Sequence, residues 1–171
     1  MIFEEERNTA FAGHTPRNGG ERENVILRIH TVQGGGPDED MEMRFLTEGE
    51  RWTDEAGTHL KYTESEISGL DGTRTEIILH NGAVAVHRDG EFGTDFLFEM
   101  GKTSESVYET PFGRLQLEAV PERVEYSLDP SGGNVLLEYH LLMHGEDAGM
   151  ITLAIDFSSE GEKERDADIQ R

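Results

Sequence analysis

The chain has 171 residues, 35% of them hydrophobic and 8% aromatic, which is enough for one domain with a buried core and too little to favour two domains. Its 36 acidic side chains outnumber the 15 Lys and Arg side chains and give a formal net charge of −21, so the surface repels phosphate backbones, which argues against nucleic-acid binding. The sequence has no cysteine, no secretory signal and no apolar run of membrane-spanning length, and we therefore expect a cytoplasmic protein without disulfides or membrane contact.

The chain divides into three predicted segments. Residues 1–22 are polar and lack a hydrophobic period, so we expect a disordered N-terminal arm. Residues 158–171 are densely charged, and we expect a disordered tail there, with a short helix over residues 162–169 as the alternative. Residues 23–157 are then predicted to form the folded domain.

Apolar and polar residues alternate in short stretches throughout residues 23–157. In chain order, these stretches lie around Val25–Ile29, Met41–Phe45, Leu60–Glu66, Thr73–His80, Ala83–Arg88, Phe96–Phe98, Thr103–Thr110, Leu115–Leu117, Val124–Leu128, Val135–Met143 and Ile151–Phe157. The stretch Val135–Met143 is the longest, and Gly-rich or Pro-containing turns separate the stretches. The pattern predicts an all-β domain of about ten strands with no helix of ordinary length.

Sequential strands with short connections pair most simply as an antiparallel meander. A domain this rich in strands must protect its edges, and closure into a barrel does so most completely. We therefore predict a closed antiparallel meander β-barrel, with a β-sandwich as the alternative.

The dipeptide Asn81-Gly82 predicts the register of one hairpin, because a two-residue type I′ turn needs positive φ at both positions and Asn-Gly tolerates this best. If His80 faces Ala83, the pairs that share an apolar face are Leu79–Val84, Ile77–Val86 and Thr75–Arg88. The pairs on the opposite, mixed face are Ile78–Ala85 and Glu76–His87. One side of this hairpin is therefore expected to face the core, with Arg88 and Thr75 at one end of that side.

An ordered series of motifs also resembles a known family. The motifs are Leu60-Lys61-Tyr62-Thr63-Glu64, Ile67-Ser68-Gly69-Leu70-Asp71-Gly72-Thr73, Arg88-Asp89-Gly90, Phe98-Glu99-Met100-Gly101-Lys102, Tyr108-Glu109-Thr110-Pro111-Phe112-Gly113 and Leu137-Glu138-Tyr139-His140-Leu141. Together they resemble the YwiB-like family of bacterial proteins over residues 24–157. The resemblance implies a calycin-like (lipocalin-like) barrel and, by analogy of fold alone, an interior able to hold a small ligand. It brings no catalytic residues.

The residues themselves favour neither a metal site nor an enzyme. Of the seven histidines, His140 and His144 would lie about 13 Å apart on a strand that rises ~3.3 Å per residue, and His80 and His87 would lie at opposite ends of their hairpin. We therefore expect no metal ligands and no cofactor. No serine lies in a strand-to-helix elbow next to a histidine, so a non-enzymatic function is favoured over an enzyme.

The candidate site is a polar set on the predicted inner face. Its members are Tyr62, Glu64, Glu66, Thr75, Arg88 and Tyr108. A five-residue loop over Ser68–Gly72 would pair Glu64 with Glu76 on the outer face, so either a bulge near Ser65 or a loop of different length must shift the register before a glutamate can lie beside Thr75. The set then forms either an internal salt bridge that closes one barrel end or an anchor for the polar head of a ligand.

Two functions follow from these alternatives. The leading hypothesis is a non-enzymatic barrel that binds a small, mostly apolar or amphiphilic molecule, with Arg88, Tyr62 and Tyr108 as polar contacts. The alternative is a protein-interaction module whose barrel is filled and whose surface binds a partner.

Overall fold

A computed structural model of the chain describes residues 21–35, 40–65, 67, 72–90 and 93–160. The ten strands are β1 (Glu23–Gly34), β2 (Met41–Asp54), β3 (Gly57–Thr63), β4 (Arg74–His80), β5 (Ala83–Asp89), β6 (Thr94–Phe98), β7 (Ser104–Thr110), β8 (Gly113–Asp129), β9 (Gly132–Met143) and β10 (Glu146–Ser159). Most of the predicted arm and tail, including the alternative tail helix, lies outside the described residues. Ser158 and Ser159, which the sequence analysis assigned to the tail, belong to β10.

All ten strands belong to one antiparallel sheet. The order across the sheet is β6-β5-β4-β3-β2-β1-β10-β9-β8-β7, so neighbours in sequence are neighbours in space and β1 pairs with β10. The predicted all-β meander of about ten strands is thereby confirmed. The sheet curls into a nearly closed barrel, with β6 and β7 meeting at its edges.

The seam between β6 and β7 is bridged by side chains in place of a regular backbone ladder. Ser106 Oγ accepts a hydrogen bond from the backbone N–H of Asp95 at 3.0 Å, and Ser104 Oγ accepts one from Leu97 N–H at 2.9 Å. Two serine hydroxyls therefore satisfy amide donors that an open edge would leave unpaired.

The core fills the middle of the barrel with inward-facing apolar side chains from every strand except β2 and β7. Its buried members are Val25, Leu27, Ile29, Leu60, Tyr62, Ile77, Leu79, Val84, Val86, Phe96, Phe98, Leu117, Ala119, Val135, Leu137, Tyr139, Leu153, Ile155 and Phe157. Each fully buried aliphatic or Phe side chain contributes about 1.5–3 kcal/mol, so the core provides the main favourable term for folding.

The β4–β5 hairpin has the predicted turn and register. Asn81 and Gly82 have φ angles of 49° and 78°, as a type I′ turn requires. All predicted pairs are present, including Thr75 opposite Arg88 on the inner face and Ile78 opposite Ala85 on the outer face.

Strand β8 corrects the prediction that Val135–Met143 forms the longest strand. It has 17 residues, against 12 for β9, and joins two stretches that the sequence analysis kept apart. The inward positions change from odd numbers such as Leu117 to even numbers such as Val124, because an extra residue is accommodated between Pro121 and Arg123. A β-bulge reverses the alternation without ending the strand.

The alternating strands give the barrel two ends. The upper end carries the connections that follow β1, β3, β5, β7 and β9, and the lower end carries those that follow β2, β4, β6 and β8. At the lower end, Arg51 Nη1 donates to the carbonyls of Asp129 at 2.9 Å and Gly132 at 3.3 Å, and the Tyr126 hydroxyl accepts a bond from Gly82 N–H at 3.0 Å. These contacts tie the lower turns together.

Candidate functional site

The position of Glu64 depends on where the β3–β4 pairing stops. Tyr62 lies opposite Thr75 and Lys61 opposite Glu76, and the pairing ends at Thr63. Glu64 N–H then donates to the carbonyl of Thr73 at 2.8 Å. A connection longer than five residues has therefore shifted the register, as the sequence analysis required, and Glu64 lies on the inner face. Glu66 lies outside the described residues.

Glu64 follows β3, and its side chain interacts with residues of β4 and β5. Its side chain is 4% exposed, and its Oε1 accepts a hydrogen bond from Thr75 Oγ1 at 2.8 Å. The same oxygen lies 3.8 Å from Arg88 Nε, within ion-pair range but too far for a hydrogen bond. The structure thus brings together Glu64, Thr75 and Arg88 as predicted, with the hydroxyl and not the guanidinium as the hydrogen-bond donor.

Two polar atoms at this site lack hydrogen-bond partners. Arg88 Nε is buried without a hydrogen bond, although its side chain as a whole is 20% exposed. Thr73 Oγ1 is likewise unbonded, and Thr73 is 1% exposed. Thr73 directly precedes β4 and lies opposite Glu64, and Arg88 lies on β5. Such atoms are costly to bury and call for a physical reason.

Two tyrosines complete the set. Tyr62 is 4% exposed; burial raises the pKa of its phenol, and the nearby Glu64 carboxylate raises it further. Burial also raises the pKa of Tyr139, and the charge of Arg88 opposes that change, which places the β9 phenol within electrostatic reach of the guanidinium. Both phenols are therefore protonated at neutral pH and able to donate.

These residues form what we term the inner polar cluster. Its members are Tyr62, Glu64, Thr73, Thr75, Arg88 and Tyr139. Gly49 lies directly opposite Tyr62, and a Cβ at this position would lie 2.5 Å from the carbonyl oxygen of Lys61 and 2.6 Å from Leu27 Cδ1. The close approach of the backbone around Tyr62 thus requires glycine on β2.

Tyr108, the remaining predicted residue, lies on another part of the barrel wall. It is on β7 opposite Leu115, half-buried and packed against the core. Other half-buried apolar side chains lie towards the same upper end. Together with Tyr108 this ring comprises Phe45, Leu115, Leu141 and Ile151.

Sequence reasoning missed Thr73 and Tyr139. Tyr139 shares its strand face with Leu137 and Leu141, so its inward direction was readable from the alternation, but its approach to Arg88 depends on curvature that brings β9 across from β5. Thr73 directly precedes β4. Its position opposite Glu64 follows only from the observed register.

Metal ligation has no support in the described residues. No group of three or more His, Asp or Glu side chains is arranged there to hold an ion. The same residues include no helix that is long and apolar enough to cross a membrane. The cytoplasmic location stays a prediction.

A solved structure has the same fold as this chain. The crystal structure of YwiB protein from Bacillus subtilis matches with a TM-score of 0.72 at 19% sequence identity, over 82% of this chain and 94% of that one. At this identity the likeness shows the fold alone. No curated protein matches the chain. The family model described as "Domain of unknown function (DUF1934)" matches residues 27–155, well over half of the chain, and confirms the resemblance to YwiB. The chain therefore belongs to the DUF1934 family.

Proposed function

We propose that this protein is a non-enzymatic, calycin-like binding barrel that takes a small, mostly apolar molecule at its upper end, with the polar or anionic head of the molecule against Arg88. One observation carries the proposal: the Nε of an inward-facing arginine is buried without a hydrogen bond. A ligand oxygen would satisfy it.

The balance of charge at Arg88 supports a ligand head there. A guanidinium has five N–H donors and no acceptor, and burial is costly unless those donors are used. Glu64 offers charge at 3.8 Å, but its hydrogen bond goes to Thr75. Arg88 therefore keeps donors for a carboxylate or another polar head, which guanidinium groups bind strongly.

The phenols of the inner polar cluster support the same role. Tyr62 and Tyr139 have raised pKa values and stay neutral, so neither adds negative charge beside the ligand head, and Tyr139 supplies a donor. A neutral donor next to a guanidinium suits an anionic head better than a further carboxylate would.

The surroundings of the cluster suit an apolar tail. The middle of the barrel is filled by the core, so a ligand would enter from above, between the half-buried ring side chains Phe45, Tyr108, Leu115, Leu141 and Ile151. Large exposed apolar side chains also lie on the upper connections and strand ends, and these are Met41, Ile67, Phe112 and Met143. Apolar lining with a few convergent polar groups is the usual composition of a small-molecule site.

A titration with a fluorescent fatty acid tests the proposal. Arg88→Met should weaken binding at least about tenfold, or ~1.4 kcal/mol. Arg74→Met is the matched control, because Arg74 lies on the neighbouring strand, is exposed and carries the same charge. The proposal fails if the wild-type protein does not bind, or if both variants bind equally well while folded.

A further inference from the structure

A groove of about 920 Å³ lies on the outside of the barrel, away from the inner polar cluster. It crosses the outer face of β4, β5 and β6, between the β2–β3 turn at Ala56 and the β6–β7 turn at Met100. Its position on the outer face separates it from any ligand held inside the barrel.

The floor of the groove is apolar. Ile78, Ala85 and Leu97 lie in one row across β4, β5 and β6, since Ala85 faces Ile78 on one side and Leu97 on the other. All three are half-buried although they point away from the core. Met100 beside them is 58% exposed. An apolar floor within a polar rim is the composition of a protein-interaction surface.

The rim is acidic, and only some of its carboxylates have a cationic or histidine partner. Asp95 contacts His87, and Glu99 Oε2 lies 2.8 Å from Lys102 Nζ. Glu105 has no such partner: it lies directly opposite Glu118 across the β7–β8 pair, and neither forms an ion pair in the described part of the chain. Like charges directly opposite on neighbouring strands are destabilising, so a cation between them would be favourable.

We propose that this groove binds a basic segment of a partner protein, with apolar side chains on the Ile78–Ala85–Leu97 row and a Lys or Arg side chain between Glu105 and Glu118. Charge complementarity carries the choice of occupant: Glu105 on the groove edge has no ion-pair partner in the described part of the chain, Glu118 faces it on the next strand, and the whole chain has a net charge of −21. An anionic partner or a second copy of this acidic chain would be repelled.

The test uses a labelled synthetic peptide of alternating Lys and Leu residues, with fluorescence anisotropy as the readout. Ala85→Arg places bulk and positive charge on the floor, and Glu105→Lys removes one of the paired carboxylates. Each should weaken peptide binding at least about fivefold. Glu48→Lys is the matched control, because it makes the same charge change at an exposed position on β2 outside the groove. It should leave the affinity within about twofold of wild type.

Each alternative outcome overturns the proposal. Equal weakening by Glu48→Lys and Glu105→Lys would mean diffuse attraction to an acidic surface, and absence of binding to the wild-type protein would mean that no basic segment is recognised. If sedimentation shows that the wild-type chain self-associates and that Ala85→Arg restores the monomer, the occupant is a second copy. Binding should also fall as salt rises from about 0.05 M to about 0.5 M, and salt-independent binding would contradict the charge argument.

Discussion

Arg51 and Arg88 both belong to the inner face of the barrel, one towards each end, and their surroundings differ. Arg51 is 13% exposed, donates to two backbone carbonyls, and has its guanidinium carbon 5.5 Å from the centroid of the Phe157 ring. Arg88 is 20% exposed, has Glu64 at 3.8 Å, and keeps a buried Nε without a hydrogen bond.

The difference separates a structural arginine from a candidate binding arginine. Arg51 donates from Nη1 to two carbonyls of the turn between β8 and β9 and so ties the lower end together. Arg88 has an unbonded Nε at the upper end, which is surrounded by half-buried apolar side chains. Burial and charge are similar for the two, so the number of satisfied donors is the property that distinguishes them.

The largest effect is expected from Arg51→Ala. It removes two charge-assisted hydrogen bonds and the contact with Phe157, and it should lower the free energy of unfolding by about 3 kcal/mol. Denaturant unfolding measures this loss, and the fatty-acid titration of the folded variant should match wild type. A loss below about 1 kcal/mol, or a loss of ligand binding in the folded variant, would contradict a structural role for Arg51.

A double-mutant cycle on Arg88 and Glu64 is expected to give the next largest effect. Arg88→Met leaves the buried Glu64 carboxylate without its cation and should cost about 2 kcal/mol, less than a fully buried pair because the atoms are 3.8 Å apart. Adding Glu64→Gln should recover at least about half of that loss, since the amide can still accept from Thr75. Additive losses in the cycle would show that the two side chains do not interact.

The Arg88–Glu64 pair should also affect ligand binding. Glu64→Gln alone removes a negative charge beside Arg88, so it should tighten the binding of an anionic probe about tenfold. An uncharged alcohol of the same chain length is the control, and its affinity should change little. Weaker binding of the acid by Glu64→Gln would mean that the glutamate and not the arginine receives the ligand head.

The seam between β6 and β7 should give a smaller effect on stability. Ser104→Ala and Ser106→Ala each remove an acceptor for a β6 amide and should each cost about 1 kcal/mol. Ser127→Ala on the exposed side of β8 is the control and should be nearly neutral. Hydrogen exchange of the Asp95 and Leu97 amides should accelerate in the seam variants only. Unchanged exchange would show that the barrel closes without these hydroxyls.

The smallest effect is expected from an outer-face histidine. Burial lowers the pKa of His59, but the Glu76 and Asp54 carboxylates raise it by more, so its net pKa is raised. The folded protein then binds more protons than the unfolded chain, and the stabilisation is present below the ordinary pKa of 6.5 and is lost as pH rises through the higher folded value. Unfolding measured from about pH 6 to about pH 8 should show stability falling with pH.

His59→Gln should flatten this dependence, because it removes the proton-binding imidazole. The pKa of His87 is raised by its bond to Asp95 despite burial. His87 should therefore also contribute to the loss of stability as pH rises. Stability that rises with pH over this range would contradict the assignment of His59 as a proton-binding group in the folded state.

The sequence predicted strand pairing correctly where a short turn determines the register. Asn81-Gly82 allows essentially one turn, and every pair of its hairpin followed from that turn. The β3–β4 connection has no such constraint, so the position of Glu64 opposite Thr73 required the structure. The two apolar stretches of β8 were visible as separate stretches, but the bulge between Pro121 and Arg123 that joins them in one strand was not. The charge of Arg88 influences Tyr139 because the curvature of the whole sheet brings β9 towards β5, and no local pattern encodes that curvature.

We propose that Arg88 offers its buried, unbonded Nε to a ligand, whereas Arg51 serves the lower turn. Side-chain NMR of the two arginine Nε–H groups, recorded in one sample during titration with a medium-chain fatty acid, tests it directly. We predict that the Arg88 Nε–H resonance moves as binding saturates, as expected for a new hydrogen bond to a carboxylate, while that of Arg51 stays fixed. A saturable titration in which Arg88 stays fixed, or in which Arg51 moves instead, would contradict it.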